Sequence, residues 1–431
     1  MTGRFVFAGG RVIDPATGED AVRDVVVADG VLAGAEAAEG ADRIDVTGMV
    51  LAPGLVDLHT HLREPGDEHT ETVASGTRAA AAGGYTAVAA MANTRPPADN
   101  AAVIQAVRDL AVAAGLCDVF PVGTVTRGRD GELLAEMGEM AAAGVRMFSD
   151  DGAAVPTARL LRNALTYLQA FGDDLVIAEH AEDASLVEGG HMHEGIRSAS
   201  LGLAGRPAEA EEIVVARDLA LARATGGRLH LCHLSSARAV ELVRAAKAEG
   251  LRVTAEVTPH HLTLTDEDLI TYDTSRKMNP PLRAVEDRDA LRAGLADGTI
   301  DAIATDHAPH AVEEKESEFD LAPPGTIGLE TALAVVITEL VAPGHLSLAR
   351  AIEAMSTVPA RILGASDHGG PIASGRPANL VVFDPEAEWT VEAPFASKAR
   401  NSAFLGRSLR GAVAYTVLHG SLVVANGKPT R

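Results

Sequence analysis

Cysteine is scarce in this chain: only Cys117 and Cys232 occur among 431 residues, and they form no CxxC pair. A disulfide framework is therefore not expected, and both thiols are interpreted as buried and non-catalytic. Long apolar runs are also missing, since the longest, around residues 332–337, is too short to span a bilayer. No N-terminal stretch combines a basic start with an apolar run. These absences predict a globular protein of the cytoplasm, with no membrane role.

Positive charge is in short supply as well. The 37 Lys and Arg residues face 60 Asp and Glu residues, which gives a formal net charge of −23. Nucleic acids and anionic membranes are bound through Lys and Arg that neutralise phosphates, so neither is an expected partner. An anionic small-molecule substrate would need a specific local cation, and Arg63 is the first candidate.

The middle of the chain alternates short apolar runs with longer Ala-rich amphipathic segments, which is typical of repeated β/α units. Eight such units in about 300 residues predict a (β/α)₈ TIM barrel, whose active site lies at the C-terminal ends of its strands. An open doubly wound sheet is the alternative, but no GxGxxG follows the first strand and there is no P-loop lysine. The eight predicted strands are residues 55–58, 85–91, 119–123, 145–148, 175–178, 228–232, 252–257 and 301–304.

The two ends of the chain have a different sequence pattern, which predicts short strands separated by turns and no long helix. Residues 1–51 and 364–431 are therefore predicted to form one small composite domain, a β-sandwich. Residues 52–363 are predicted to form the barrel domain.

Metal-binding residue types crowd the predicted strand ends. In the first strand His59, His61 and Arg63 alternate, so an extended backbone would point them to one face. Zinc binds imidazole and carboxylate groups, and catalytic zinc keeps a position open for water. Two ions bridged by one further anion could hold a hydroxide that attacks an amide carbonyl. The candidate ligands from the strand ends are His59, His61, His180, His233 and Asp306.

Some neighbouring residues leave the assignment open. Asp150 adjoins Asp151 after the fourth strand, and His307 adjoins Asp306 after the eighth. His260 and His261 are interpreted as supporting or structural residues. His191 and His193 are interpreted as part of a surface loop.

Several motifs together carry a resemblance. The segments DLHTHLREPG, MANT, FSDDG, CHLSS, MNPPLR and ATDHAPH occur in this order. They resemble the amidohydrolase superfamily and, within it, the bacterial long-chain (type I) dihydroorotases, over essentially the whole chain. The HxH pair alone indicates only an amidohydrolase, whereas LREPG and NPPLR are typical of dihydroorotase.

The resemblance implies a zinc-dependent, reversible cyclisation of N-carbamoyl-L-aspartate to (S)-dihydroorotate, a step of de novo pyrimidine (UMP) biosynthesis. Many superfamily members bridge two metals with a carboxylated lysine at the fourth strand, where this chain has no lysine. The resemblance instead implies two zinc ions per subunit bridged by Asp151 and a hydroxide, with Asp150 structural. Asp306 is implied to be a ligand and also the catalytic proton carrier.

The resemblance also implies the substrate contacts. Arg63, Asn93 and His310 match positions that hold the substrate carboxylate, Asn279 matches one at the polar edge of the ring, and Pro324 and Gly325 match a backbone contact. Residues 309–328 have the length and charge of a mobile active-site loop. A homodimer is expected, together with an association with aspartate transcarbamoylase.

Two other functions fit parts of the pattern. Hydantoinases, dihydropyrimidinases and allantoinases are related cyclic amidohydrolases, but they usually use the carboxylated lysine and need no carboxylate clamp such as Arg63. A catalytically silent scaffold is the second possibility, and it would have lost metal ligands that this chain retains.

Overall fold

The chain begins with five strands joined by tight turns. Residues 3–431 are described by a computed structural model, in which Asp29 and Gly30 both have positive φ and connect the second and third strands. The strands are β1 (Phe5–Asp14), β2 (Glu19–Ala28), β3 (Val31–Ala33), β4 (Asp42–Asp45) and β5 (Val50–Pro53).

The eight predicted apolar runs all contain strands, and the first two are buried along their whole length, as in parallel sheets covered by helices. A two-stranded ribbon, β11 with β12, is added between the fifth and sixth barrel strands. The strands are β6 (Leu55–Thr60), β7 (Tyr85–Ala90), β8 (Asp118–Pro121), β9 (Met147–Phe148), β10 (Val176–Glu179), β11 (Met192–His193), β12 (Gly205–Arg206), β13 (Leu229–Leu231), β14 (Val253–Val257) and β15 (Ala302–Ile303).

The barrel closes through two single bridges. Parallel ladders join β6 to β8 and join β9 to β15, the latter in the order β9-β10-β13-β14-β15. A bridge between Gly123 and Phe148 connects the two ladders on one side, and a bridge between Thr60 and His307 connects them on the other. The closed barrel is therefore confirmed, and the open doubly wound sheet is wrong.

Helices follow most of the barrel strands, and several begin at a side chain that accepts a backbone N–H. Thr72, Asn100 and Ser236 are such N-caps. The helices are α1 (Val73–Ala82), α2 (Ala101–Ala114), α3 (Met137–Ala142), α4 (Ala158–Leu168), α5 (Ala184–Val187), α6 (Ile196–Leu201), α7 (Glu209–Thr225), α8 (Ala237–Ala248), α9 (Val285–Asp297), α10 (Val312–Lys315), α11 (Ala332–Val336), α12 (Leu348–Ile352) and α13 (Val358–Leu363).

The C-terminal strands complete one nine-stranded sheet with the N-terminal ones. They are β16 (Leu380–Thr390), β17 (Ser408–Leu418), β18 (Ser421–Ala425) and β19 (Lys428–Pro429), and the main path runs β19-β18-β17-β16-β5-β1-β2-β3, with β4 beside β1. The antiparallel pairing of β16 with β5 joins the two chain ends in the β-sandwich. The domain limits, 1–51 with 364–431 and 52–363, stay a prediction. Within residues 3–431, no helix has both the length and the apolarity that a membrane crossing requires.

Candidate metal centre and substrate cavity

The two histidines of the first barrel strand are held through their Nδ1 atoms. His59 Nδ1 lies 2.8 Å from Glu256 Oε1, and His61 Nδ1 lies 2.9 Å from Asn93 Oδ1. In each ring the other nitrogen, Nε2, faces a common carboxylate, Asp151. Such outer partners fix the orientation of metal-binding imidazoles.

Asp151 lies at the centre of four imidazoles. Its Oδ1 is 3.3 Å from His59 Nε2, 3.5 Å from His180 Nδ1 and 3.4 Å from His233 Nε2, and its Oδ2 is 3.5 Å from His61 Nε2. His59 lies in β6 and the others lie in the segments that follow β6, β9, β10 and β13, so the barrel brings together residues far apart in sequence.

Asp306 completes this cluster from the segment after β15. Its Oδ1 lies 3.1 Å from His61 Nε2 and 3.6 Å from His59 Nε2. The five residues named from their strand ends and Asp151 therefore meet in one buried cluster.

The cluster fits a metal cofactor by its donor atoms. One group of donors comprises His59, His61 and Asp151, and another comprises Asp151, His180 and His233, with the atoms of each group within 4.8 Å of one another. His59 Nε2, Asp151 Oδ1 and His233 Nδ1 are buried and have no hydrogen-bond partner among residues 3–431. Because unpaired buried polar atoms are costly, a bound cation would satisfy them.

The local field favours positive charge at two of these imidazoles. Burial by itself lowers the pKa of His180, but the Asp151 and Glu182 carboxylates raise this pKa to about 10. The same opposition acts at His59, where burial is outweighed by Asp151 and Asp306 and the pKa rises well above 6.5. A site that attracts protons to imidazoles in this way also attracts metal cations.

The residues adjacent in sequence to Asp151 and Asp306, which are Asp150 and His307, have partners outside the cluster. Asp150 Oδ1 accepts the backbone N–H groups of Val125 and Thr126 at 2.9 and 3.1 Å. His307 faces Glu71, with 3.4 Å between Nε2 and Oε2, and its Nδ1 accepts the N–H of Gly328. The geometry therefore favours Asp151 and Asp306 over Asp150 and His307 as metal ligands.

Three residues of the site have left-handed backbone conformations, with φ of 60° at Arg63, 30° at His233 and 46° at Asp306. Non-glycine residues in this region carry strain and cluster at functional sites. This finding corrects the prediction that strand alternation aligns Arg63 with the histidines, because β6 ends at Thr60. The chain turns after the strand, and this turn determines the position of Arg63.

A cavity of about 180 Å³ lies over the cluster. All of the predicted substrate-contact residues line it, and so do five of the six predicted metal ligands; the exception is His59, which is buried beneath. The substrate-contact residues in its wall are Arg63, Asn93, Asn279, His310, Pro324 and Gly325.

His310 is a neutral group in this wall. Burial, and then the charge of Arg63, lower its pKa to about 3. Its Nε2 lies 2.8 Å from the carbonyl oxygen of Pro324. Gly325 has a φ of +129°, and a Cβ there would come within 2.7 Å of Ala308 and 3.0 Å of His310, so the close approach of this segment requires glycine.

The segment 309–328 is held against the preceding loop. It carries α10, and Lys277 Nζ donates to the carbonyls of Phe319 at 2.7 Å and Asp320 at 3.1 Å. Lys315 Nζ donates in the other direction, to the carbonyl of Thr274. The mobility of this segment stays a prediction.

Two carboxylates that support the site were missed in the sequence. Glu256 in β14 joins His59 to His230, with 3.0 Å between its Oε2 and His230 Nε2, and Glu182 lies 3.2 Å from His180 Nε2. The available signal was a glutamate inside an apolar strand and another two residues after His180.

The other candidate histidines lie outside the donor groups. His261 is satisfied by Thr258 Oγ1 and the carbonyl of Pro280, at 2.8 and 3.0 Å. His260 is buried, whereas His191 and His193 are half-buried in the ribbon region near Lys277 and Arg283.

Fold and site together define a metal-dependent amidohydrolase, a barrel enzyme with a β-sandwich and a buried His/Asp cluster. Comparison with known proteins narrows this class. A family model described as dihydro-orotase-like matches residues 48–239. Dihydroorotase of Pelotomaculum thermopropionicum is 51% identical over 425 residues, or 98% of both chains. Dihydroorotase of Streptomyces coelicolor is 53% identical over 396 residues, or 91% of this chain and 92% of that one. The chain belongs to the dihydroorotase family, whose members are cyclic amide hydrolases.

Solved structures give the same architecture. L-Hydantoinase (dihydropyrimidinase) from Arthrobacter aurescens superposes with a TM-score of 0.88 at 26% identity, covering 100% of this chain and 98% of that chain. Dihydropyrimidinase from Brevibacillus agri superposes with a TM-score of 0.84 at 23% identity, covering 99% and 96%. The barrel with its terminal β-sandwich is therefore confirmed.

Proposed function

We propose that this enzyme catalyses the reversible ring closure of N-carbamoyl-L-aspartate to (S)-dihydroorotate, in pyrimidine biosynthesis. The observation that carries the proposal is the shared cavity, in which Arg63, Asn93 and His310 lie beside the His/Asp cluster. The family membership and the dihydroorotase names of relatives at about 50% identity support the same activity.

Two zinc ions bridged by Asp151 are the proposed cofactor. Support comes from two donor groups that have Asp151 in common, and from buried donor atoms that have no partner in the described part of the chain. Imidazole and carboxylate donors suit zinc. Bound ions of this kind would lower the pKa of a water molecule and polarise the carbonyl oxygen.

Arg63 is proposed to bind the substrate carboxylate through paired hydrogen bonds. Its Nε donates to the carbonyl of Pro309 at 3.2 Å, which fixes the guanidinium while its other N–H groups remain for the substrate. Asn93 and His310 are proposed to act on the same carboxylate and Asn279 on the polar edge of the ring. The backbone of Pro324 and Gly325 is proposed to form a further substrate contact.

Asp306 is proposed to move the proton. In the hydrolytic direction its carboxylate takes a proton from the attacking water and passes it to the leaving ring nitrogen, and in synthesis the proton returns. The position of Asp306 Oδ1 beside His61 and within the cavity wall supports this role.

The hydantoinase-like structures define the rival activity. A hydantoin or dihydropyrimidine ring without a carboxylate would leave the Arg63 charge unpaired in a cavity wall where that residue is half-buried. The proposal therefore predicts turnover of dihydroorotate and little or none of hydantoin or dihydrouracil.

The test uses the purified protein loaded with zinc, with the ring absorbance of dihydroorotate as readout and hydantoin and dihydrouracil as parallel substrates. Protein that binds zinc but leaves the dihydroorotate signal unchanged would refute the proposal. Arg63→Lys, which keeps the charge but loses the bidentate fork, should raise KM for dihydroorotate and leave the bound zinc unchanged.

The assembly belongs to the same proposal. We expect a cytoplasmic homodimer that associates with aspartate transcarbamoylase, on the basis of the family resemblance. Light scattering of the purified chain, alone and mixed with that enzyme, measures both.

A further inference from the structure

Arg206 lies behind one of the proposed substrate contacts. It ends the short strand β12, and its Nη1 donates to Asn279 Oδ1. Its Nε donates to the carbonyl of Gly190 at 2.8 Å, and its Nη1 lies 3.5 Å from Glu182 Oε2. The side chain is only 17% exposed, so these contacts fix the guanidinium in place.

Glu182 connects this arginine to the metal cluster. The Oε2 atom that faces Arg206 also lies 3.2 Å from His180 Nε2. The same carboxylate therefore positions a candidate metal ligand and the group behind Asn279.

A guanidinium can only donate hydrogen bonds, whereas an amide has one end that accepts and one that donates. The end of Asn279 that meets Arg206 must therefore be its oxygen. The amide nitrogen is left for the substrate cavity, whose wall includes Asn279. A second cavity, of about 420 Å³, has both Arg206 and Asn279 in its wall.

We propose that Arg206 is a positioning residue that fixes the amide of Asn279 with its NH₂ group toward the substrate, so that this subsite recognises a carbonyl oxygen. The inference rests on the proposed function. Dihydroorotate has two ring carbonyls, and the one that undergoes attack lies at the His/Asp cluster. The oxygen that Asn279 binds is therefore the ureido oxygen, which is also present in N-carbamoyl-L-aspartate.

The test compares N-carbamoyl-L-aspartate with its thiocarbamoyl analogue, in which sulfur, a poor hydrogen-bond acceptor, replaces the ureido oxygen. The wild-type enzyme should favour the oxygen substrate in kcat/KM. Arg206→Met frees the amide to turn, and we expect it to raise KM for the oxygen substrate about 3- to 10-fold, the range of one neutral hydrogen bond, and to reduce the discrimination against sulfur by a similar factor.

Four further variants isolate the mechanism. Asn279→Ala should lose the same discrimination, and the double variant should be no worse than either single variant, because the two residues act through one contact. Arg206→Lys can still only donate and should keep the wild-type ratio. Arg217→Met is the matched control, since Arg217 lines the neighbouring cavity but pairs with Asp218, and its ratio should not change.

The outcomes separate the two proposals. A wild-type enzyme that turns over neither dihydroorotate nor N-carbamoyl-L-aspartate refutes the proposed function. An active wild type whose oxygen-to-sulfur ratio is unchanged in Arg206→Met, or is lost equally in Arg206→Lys, overturns the role of Arg206 alone. Additive losses in the double variant would overturn it too. Melting temperatures close to wild type exclude a folding defect.

Discussion

Asp306 has two tasks in the proposed reaction, as a metal ligand and as the proton carrier. Asp306→Asn keeps an oxygen that can bind a metal but removes the group that accepts a proton. We expect kcat to fall about 10²- to 10⁴-fold, the usual contribution of a positioned general acid or base. Parallel measurement of zinc content and of dihydroorotate affinity should find both largely retained. Near-normal turnover would contradict the role.

Asp150 and Asp151 form a matched pair of adjacent, buried carboxylates with different partners. Asp151→Asn should weaken zinc binding more strongly than the loss of a residue that only orients a metal ligand, which typically costs about 10- to 100-fold in metal affinity. The reason is that Asp151→Asn removes the bridging negative charge. Asp150→Asn should lower the melting temperature, since Asp150 accepts the N–H groups of Val125 and Thr126, but should keep the zinc. Zinc analysis of both proteins checks this pair, and the reverse pattern would assign the bridge to Asp150.

At the scale of elements, the segment 309–328 depends on two lysines that tie it to residues 274–277. Lys277→Met removes the donor to the carbonyls of Phe319 and Asp320. We expect faster amide exchange in residues 317–325 and a higher KM, because this segment carries Pro324 and Gly325. Hydrogen-exchange mass spectrometry gives the readout. Lys247→Met, which removes a partly exposed ion pair with Asp301 on the outside of the barrel, should leave exchange in this segment unchanged.

The elements themselves could be predicted where local pattern determines them. Apolar runs separated by amphipathic segments predicted the eight barrel strands, and α2 is one of the helices that such an amphipathic segment forms. The closing bridge between Thr60 and His307 could not be predicted, since it is one isolated pairing between distant segments. Glu256 was missed for the same reason, because its partner His59 is 197 residues away and the contact exists only in the closed barrel.

Arg63 shows a different limit. The HxHxR spacing correctly placed its residue type near the histidines, but the argument assumed a continuing strand. Arg63 lies after the strand ends, has a left-handed backbone conformation, and donates a hydrogen bond to the carbonyl of Pro309, which is distant in sequence. Such contacts are tertiary, so no local pattern reports them.

At the scale of the whole molecule, one cluster joins the terminal sheet to the barrel. Asp118, at the start of β8, accepts from His419 Nε2 at 2.8 Å and from His368 Nε2 at 3.0 Å. His419 lies in the turn between β17 and β18. The hydrogen bond to Asp118 raises the pKa of His419 above its ordinary value of 6.5, and its charge holds the sheet against the barrel.

This pKa shift makes the attachment depend on pH. A group whose pKa is higher in the folded state stabilises that state fully below the unfolded pKa, and the contribution is lost as pH rises through the folded pKa. His419→Gln should therefore lower the melting temperature most at about pH 6, and this deficit should shrink as pH rises through the raised pKa of His419, where the wild-type imidazole becomes neutral too. Thermal unfolding of both proteins across this range checks the prediction. His345→Gln serves as the control, because His345 is exposed and has no salt-bridge partner within residues 3–431, and it should show no such trend. A His419→Gln deficit that is constant with pH, or that grows toward alkaline pH, would mean that packing rather than charge attaches the sheet.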